Sequence, residues 1–238
     1  MNVLVVGGGT GIGKAIAASF AENGCNVAIS GRRMEVLQQV VDEVDSSVPI
    51  KARAADVADR ESVKSLIDWT LEQFGKLDVL VNCAGTNIKN RTMLDMEPEQ
   101  WDQLVAINAT GAYNCMWAIL PHMRENKDGL IVNVTSIAGK RAAALGGIAY
   151  VASKFAQTGL GTAVGNEECH RGVRITNVYP GEVETPILEN RPNPVSDEHR
   201  ARILQPEDIA PLVWTIANLP ARAHVPEIVV KPTVQEYY

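Results

Sequence analysis

A chain of 238 residues, 46% of them hydrophobic and 21% charged, has the composition of an ordinary globule with a sizeable core, and its length suits one large α/β domain. The net charge of −6 supplies no basic footprint for nucleic acid or an anionic membrane surface, which leaves small molecules or other proteins as partners. No apolar run is long enough to span a bilayer, and the first, NVLVVGGG, starts at Asn2 with no charged leader before it, so a cytoplasmic location is the expectation.

Along the chain, short β-branched runs alternate with longer stretches of helical period. NVLVV is followed by a helix from Gly13 to Asn23, NVAIS by one from Met34 to Val44, IKARA by one from Glu61 to Phe74, and DVLVN by a long one from Gln100 to Asn126. LIVNVT, VRITNVY and EIVVK complete seven strands. The pattern predicts an α/β fold in which a doubly wound, parallel seven-stranded sheet carries helices on both faces, Rossmann-like, as a single domain over 1–238. Only Glu184 to Gln205 lacks clear periodicity, at a length that in compact domains serves function or motion, and it is the candidate substrate lid. Cys25, Cys83, Cys115 and Cys169 have no C-x-x-C spacing and read as reduced thiols packed as small apolar groups. His122, His170, His199 and His224 show no metal-ligand spacing.

The turn after the first strand, GGGTGIGKAIA, sets Gly7, Gly11 and Gly13 in a G-x-x-x-G-x-G spacing that opens a helix. In that context the backbone of Gly7, Gly9, Thr10, Gly11, Ile12 and Gly13 can approach a pyrophosphate at the positive end of the helix dipole. The second strand ends at Gly31, Arg32 and Arg33, where an NAD site carries an acid for the ribose hydroxyls and an NADP site a cation for the 2′-phosphate. Two cations at the start of a helix oppose its dipole, and a phosphate removes that penalty. NADP(H) is therefore preferred, with Arg32 as the main contact and Arg33 in support, and NAD(H) is the alternative. Asp56 and Val57 after the third strand, and Asn82, Ala84 and Gly85 at the end of the fourth, fall at the carboxyl edge where loops close over a nucleotide. Ordinary turn chemistry also suits these residue types.

The fifth strand delivers Ser136 to the same edge, and Tyr150 opens the next helix with Lys154 one turn along the same face. With five Tyr and nine Lys in the chain, a Tyr-x-x-x-Lys spacing is weak alone, at about one chance in five. Beside a nucleotide it has a chemistry. A phenol ordinarily titrates near about 10, a cation within about 4–6 Å favours its phenolate, and a tuned phenol can give a proton to a carbonyl oxygen while hydride reaches the carbon. A serine hydroxyl alongside stabilises the developing oxyanion. Asn108, in AINATGAYN on the long helix, is polar at a position of buried periodicity, and is either a core amide or part of this site.

In this order and spacing the motifs resemble the compact one-domain branch of the short-chain dehydrogenase/reductase family over nearly the whole chain. The resemblance implies a catalytic tetrad of Asn108, Ser136, Tyr150 and Lys154. In it Tyr150 is the proton donor or acceptor, Lys154 lowers its pKa and bonds the nicotinamide ribose, Ser136 orients the substrate oxygen, and Asn108 holds a water linking Lys154 to solvent. YPGEVETPI is similar to the family's Pro-Gly turn, which assigns Pro180, Gly181, Val183 and Thr185 to the nicotinamide. The implied substrate is a ketone or secondary alcohol and the implied assembly a homotetramer or homodimer; the small residues of YVASKFAQTGLGTAVGN suit close helix approach, or simple core packing. Val6 departs from the Thr often found there, Cys83 replaces the second Asn of Asn-Asn-Ala-Gly, the loop between Ser136 and Tyr150 is one residue longer than the common version, and the tail VVKPTVQEYY lacks the Gly-rich ending of fatty-acid ketoacyl reductases. Lys140, Arg141, Arg191, Arg200 and Arg202 lie in segments expected to wall the pocket, as solvated charge or as a site for an acidic substrate group. The alternative function is a non-catalytic NADPH-binding sensor on the same fold, which has no need of the tetrad.

Overall fold

The computed structural model describes residues 1–237. Strands β1 (Asn2–Val6), β2 (Asn26–Gly31), β3 (Lys51–Ala54), β4 (Val79–Asn82), β5 (Gly129–Val134), β6 (Val173–Pro180) and β7 (Glu227–Val230) form one sheet in the order β3-β2-β1-β4-β5-β6-β7, every pair parallel. The helices are α1 (Gly11–Glu22), α2 (Met34–Glu43), α3 (Arg60–Phe74), α4 (Pro98–Val105), α5 (Gly111–Asn126), α6 (Ile148–Glu168), α7 (Asp197–Arg200) and α8 (Ala210–Ala217). The strand pleat divides the core in two. Val3 and Val5 join Ile16 and Phe20 of α1, Leu37 of α2 and Val213 of α8 on one face. Leu4 and Val6 join Leu66 of α3 and Met116 and Ile119 of α5 on the other. This is the doubly wound sheet the alternating pattern predicts.

From β1 the chain steps outward to β2 and β3, then returns to lay β4 on the other side of β1. The crevice beyond the carboxyl ends of β1 and β4 is thus the switch point of the sheet, the place where ligands bind in such folds. Gly7 sits there at φ +86°, and a Cβ on it would come within 2.5 Å of the Ala84 nitrogen, so the turns after β1 and β4 pack backbone to backbone. A Cβ on Gly13 would overlap the Gly7 carbonyl oxygen, which is how α1 gets so close to the turn that precedes it.

Two elements differ from expectation. The long helix is α4 and α5 joined by a π-helical turn, Ala106–Thr110, in which the Gly111 N–H reaches back to the Ala106 carbonyl. It also starts earlier, at Pro98, where the Gln100 Oε1 accepts the Glu97 N–H at 3.1 Å. The segment 184–205 is pinned at both ends by strand-like pairing, Glu184 N–H to the Leu204 carbonyl at 2.8 Å and Leu204 N–H to the Glu182 carbonyl at 3.0 Å, and it buries Leu188 and Ile203. Single-turn pieces at Pro186–Asn190 and α7 are too short to leave a periodic trace. The four cysteines are free thiols; Cys25 and Cys115 are packed in the core as expected, Cys83 is half-buried and Cys169 is exposed. Among the described residues no helix is long and apolar enough to cross a membrane.

Candidate active site

A cavity of about 990 Å³ runs along the carboxyl edge of the sheet from the glycine turn to Tyr150. That is the upper end of the range for small-molecule sites, roughly 300–1,000 Å³. At one end it is lined by Gly7, Gly9, Thr10, Gly11 and Ile12, then by Arg32, Arg33, Asp56 and Val57, and further along by Ala84 and Gly85. Thr10 caps α1 without a side-chain hydrogen bond and no acid lies in the first turn, so the helix presents uncompensated N–H groups there. Arg32 and Arg33 are exposed on the rim, and neither guanidinium has an ion pair or hydrogen bond among the described residues. Two bare cations, a glycine turn and an uncapped helix N-terminus together fit an elongated, doubly phosphorylated ligand with a third phosphate near the arginines.

Two of the residues expected around a dinucleotide do not line the cavity, and a third has a second role. Gly13 is buried behind the turn and acts through packing. Asn82 points into the sheet, where its Nδ2 donates to Asn133 Oδ1 at 3.0 Å and Asn133 Nδ2 donates to Asn177 Oδ1 at 3.1 Å, a buried amide ladder across β4, β5 and β6. Asp56 lies two residues beyond β3 and its Oδ1 accepts the Ala58 N–H at 2.9 Å, so it performs turn chemistry while still lining the cavity. Pro180, Gly181, Val183 and Thr185 line the same cavity, and Thr185 packs on Gly11.

Ser136, Tyr150 and Lys154 meet at the inner end. Ser136 caps a short turn by accepting the Ala138 N–H at 3.1 Å. Burial pushes the Tyr150 phenol above its ordinary pKa, while the Ser136 hydroxyl and the Arg91 charge pull it down without cancelling the rise. Desolvation thus sets the direction here, and the expected lowering by Lys154 is not what decides it. Lys154 is 3% exposed, its Nζ is 5.8 Å from the Tyr150 ring centroid, and it donates instead to the Val134 carbonyl at 3.2 Å and to Gln157 Oε1 at 2.9 Å. Burial brings Lys154 down to about 8, so it remains a cation at neutral pH. Asn108, fully buried in the π-helical turn, accepts the Thr86 N–H at 2.8 Å and donates to the Thr86 carbonyl and Ser153 Oγ, each at 3.0 Å. It braces the loop after β4 from behind the cavity and does not line it. π-Helical turns recur at functional sites, and this one places an amide where a regular turn predicted either core or site.

Several residues in or behind the cavity wall carry no signal in the sequence. Arg91 is half-buried beside Tyr150, Gln157 is a fully buried acceptor for Lys154, and Gln235, Glu236 and Tyr237 bring the tail into the wall. Of the five cations expected near the pocket, Lys140 pairs with Glu227, Arg200 with Glu184 and Arg191 with Glu182, and Arg202 does not line the cavity. Arg141 alone faces it unpaired, stacked over Tyr237 at 5.0 Å.

An uncharacterised oxidoreductase of Staphylococcus aureus strain MW2 is 34% identical to the chain over 229 residues, 96% of each. An alcohol dehydrogenase from the archaeon Thermococcus sibiricus, complexed with 5-hydroxy-NADP, superposes with a TM-score of 0.89 at 26% identity, over 99% of this chain and 98% of that one. The closed form of a serine dehydrogenase complexed with NADP+ does so at 0.89 and 28%, over 100% and 97%. The family model described as short chain dehydrogenase matches residues 1–195, and with a relative a third identical end to end it places this chain in that family, as an oxidoreductase.

Proposed function

We propose that the protein moves a hydride between NADP(H) and a ketone or secondary alcohol, with Tyr150 as the acid or base. The observation that carries this reading is the phenol itself: protonated, half-buried, beside Ser136 and one helical turn from the Lys154 cation, in a cavity that also carries two unpaired arginines. In this reading Gly7 and Gly9 to Ile12 hold the pyrophosphate, Arg32 and Arg33 the 2′-phosphate, Asp56 and Val57 the adenosine end, and Ala84, Gly85, Pro180, Gly181, Val183 and Thr185 the nicotinamide end. Two structural neighbours described as NADP complexes support that choice; a ketoacyl reductase neighbour complexed with NADH keeps NAD(H) as the alternative.

Once bound, the reduced dinucleotide supplies a hydride to the substrate's carbonyl carbon. Ser136 Oγ orients the carbonyl oxygen, and Tyr150 gives it the phenolic proton, so hydride and proton together complete the alcohol. A phenol whose pKa lies above its ordinary value is a fully loaded acid at neutral pH, which suits reduction. Lys154 offsets the phenolate left behind and bonds the nicotinamide ribose, and Asn108 fixes the loop that carries Ala84 and Gly85. Residues 184–205 are the lid, latched by the hydrogen bond from Arg91 Nη2 to the Asn190 carbonyl. Exposed Trp101, Trp117 and Phe155 on α4, α5 and α6 support a homodimer or homotetramer, which light scattering reads directly.

Consumption of NADPH against ketones, aldehydes, keto acids and quinones, with NADH in parallel, tests the reading. Turnover of one class, abolished in Tyr150→Phe, is the expected result. NADPH binding with no turnover on any class would leave a narrow-substrate enzyme or a non-catalytic sensor.

A further inference from the structure

The substrate end of the cavity contains a cation with no anion. Arg91 Nε donates to the Ile88 carbonyl at 2.7 Å, Nη1 to the Leu145 carbonyl and Nη2 to the Asn190 carbonyl at 2.9 Å. All three acceptors are neutral, and no carboxylate pairs with Arg91 among the described residues. The three bonds aim the group without neutralising it, and a guanidinium with five N–H donors keeps two in hand. Its segment is fixed firmly: Ile148 N–H donates to the Arg91 carbonyl at 3.2 Å, and Asn87 Nδ2 to the Gly146 carbonyl at 3.0 Å.

The neighbouring cation is already spent. Arg191, whose charge reaches Arg91, sits 3.1 Å from Glu182, which also contacts His199. Burial raises the Glu182 carboxyl, but hydrogen bonds from His199 and Arg191 outweigh it and leave the group ionised below its ordinary pKa. Arg91 itself is held below its ordinary value, first by burial and then by Arg191. A half-buried guanidinium in that state gains most from an anion brought by a ligand.

We propose that Arg91 receives a carboxylate of the substrate, so that the enzyme reduces short oxo acids, and oxidises the matching hydroxy acids, in preference to neutral ketones and alcohols. This rests on the oxidoreductase reading given above. The single fork of Arg91 suits a monoanion, whereas a phosphate monoester, at about −1.5 to −2 near neutrality, would have to draw on Arg141 of the same cavity as well, since Glu182 holds Arg191. The planar fork of Arg91 matches a carboxylate, and Leu145, Ile187 and Leu188 offer the carbon chain an apolar wall. Arg91 and Tyr150 line the same cavity, which directs the proposal to small molecules that carry the reacting carbonyl and the carboxylate together, such as 2- and 3-oxo acids.

The test compares 2- and 3-oxo acids with their methyl esters and with a ketone phosphate, as NADPH substrates of the wild type, Arg91→Gln and Arg91→Lys. The expected result is a wild-type preference for acid over ester in kcat/KM, with the acid-to-ester ratio falling about 10–100-fold in Arg91→Gln and less in Arg91→Lys. Equal losses on acid and ester would show that Arg91 only joins the walls and overturn the proposal, as would a wild-type preference for the ester or for the ketone phosphate. If the wild type consumes no NADPH on any substrate, the oxidoreductase reading fails separately. Calorimetric titration with 3-hydroxybutyrate then decides the site: binding lost in Arg91→Gln upholds the carboxylate receptor, and no binding to the wild type sinks it.

Discussion

Around the glycine turn the cavity is walled largely by two short consecutive stretches, 7–12 and 31–33; elsewhere, where we propose that substrate binds, Arg91, the loop from Arg141 to Gly146, the segment from Ile187 to Arg191 and the tail from Gln235 to Tyr237 join its wall from four remote parts of the chain. The first end is shaped mostly by backbone, with Gly7 pressed on Ala84 and Gly13 on Gly7. The second is held by side chains reaching for carbonyls, as Arg91 does for Leu145 and Asn190. A ligand shared by many enzymes suits the rigid, local construction. A substrate particular to one enzyme suits the assembled one, whose residues can change one at a time without disturbing the fold.

Removing the phenol should have the largest effect. Tyr150→Phe is expected to lower turnover by about 10²–10⁴-fold while dinucleotide binding, read by fluorescence or calorimetry, persists. Retained turnover would take the acid role away from Tyr150. At the backbone end, Gly13→Ala should act through the fold. Its Cβ would collide with a carbonyl oxygen that has nowhere to go, so a loss at or above the upper end of the ~1–3 kcal/mol typical of overpacking is expected in denaturant melts. A melt unchanged by the methyl group would show that α1 can slide away from the turn. Arg32→Ala is expected to weaken NADPH by about 10–100-fold and to leave NADH nearly untouched, since it removes one charge-assisted contact at the rim. Equal losses for the two dinucleotides would refute the 2′-phosphate role.

The same contrast explains what could be read from the sequence. All seven strands are legible because each is a β-branched run beside a helical period, and the glycine spacing marks its own turn. Tyr150 and Lys154 are legible because a helix fixes their relation through i, i+4 alone. Arg91 is not, because nothing in NIKNRTM says that its guanidinium meets residues 54 and 99 positions further on. The paired cations show the reverse error. Arg191 and Arg200 look free in sequence, yet Glu182 and Glu184 cancel them at distances only the folded 184–205 segment creates. The net direction of the Tyr150 pKa is illegible for a related reason: desolvation depends on what surrounds the phenol in the fold, and the motif carries only its distance from Lys154 along a helix.

Gln157 gives the smallest expected effect and a fine discrimination between packing and chemistry. It is fully buried, its Oε1 accepts a hydrogen bond from the Lys154 ammonium, and its Nε2 has no partner among the described residues. Lys154 is charged below about 8 and loses its proton above that, so reduction should fall along an alkaline limb near that pH as the phenolate loses its counter-charge. The carbonyl of Gln157 favours the charged form. Gln157→Leu should therefore move the limb to lower pH, by roughly one unit, and Gln157→Glu, which places a carboxylate against the ammonium, should move it higher. Opposite shifts from two substitutions at one buried position follow from an electrostatic role and not from lost packing, which would lower the whole pH–rate profile without moving it. Two limbs that stay near pH 8 would confine Gln157 to the core.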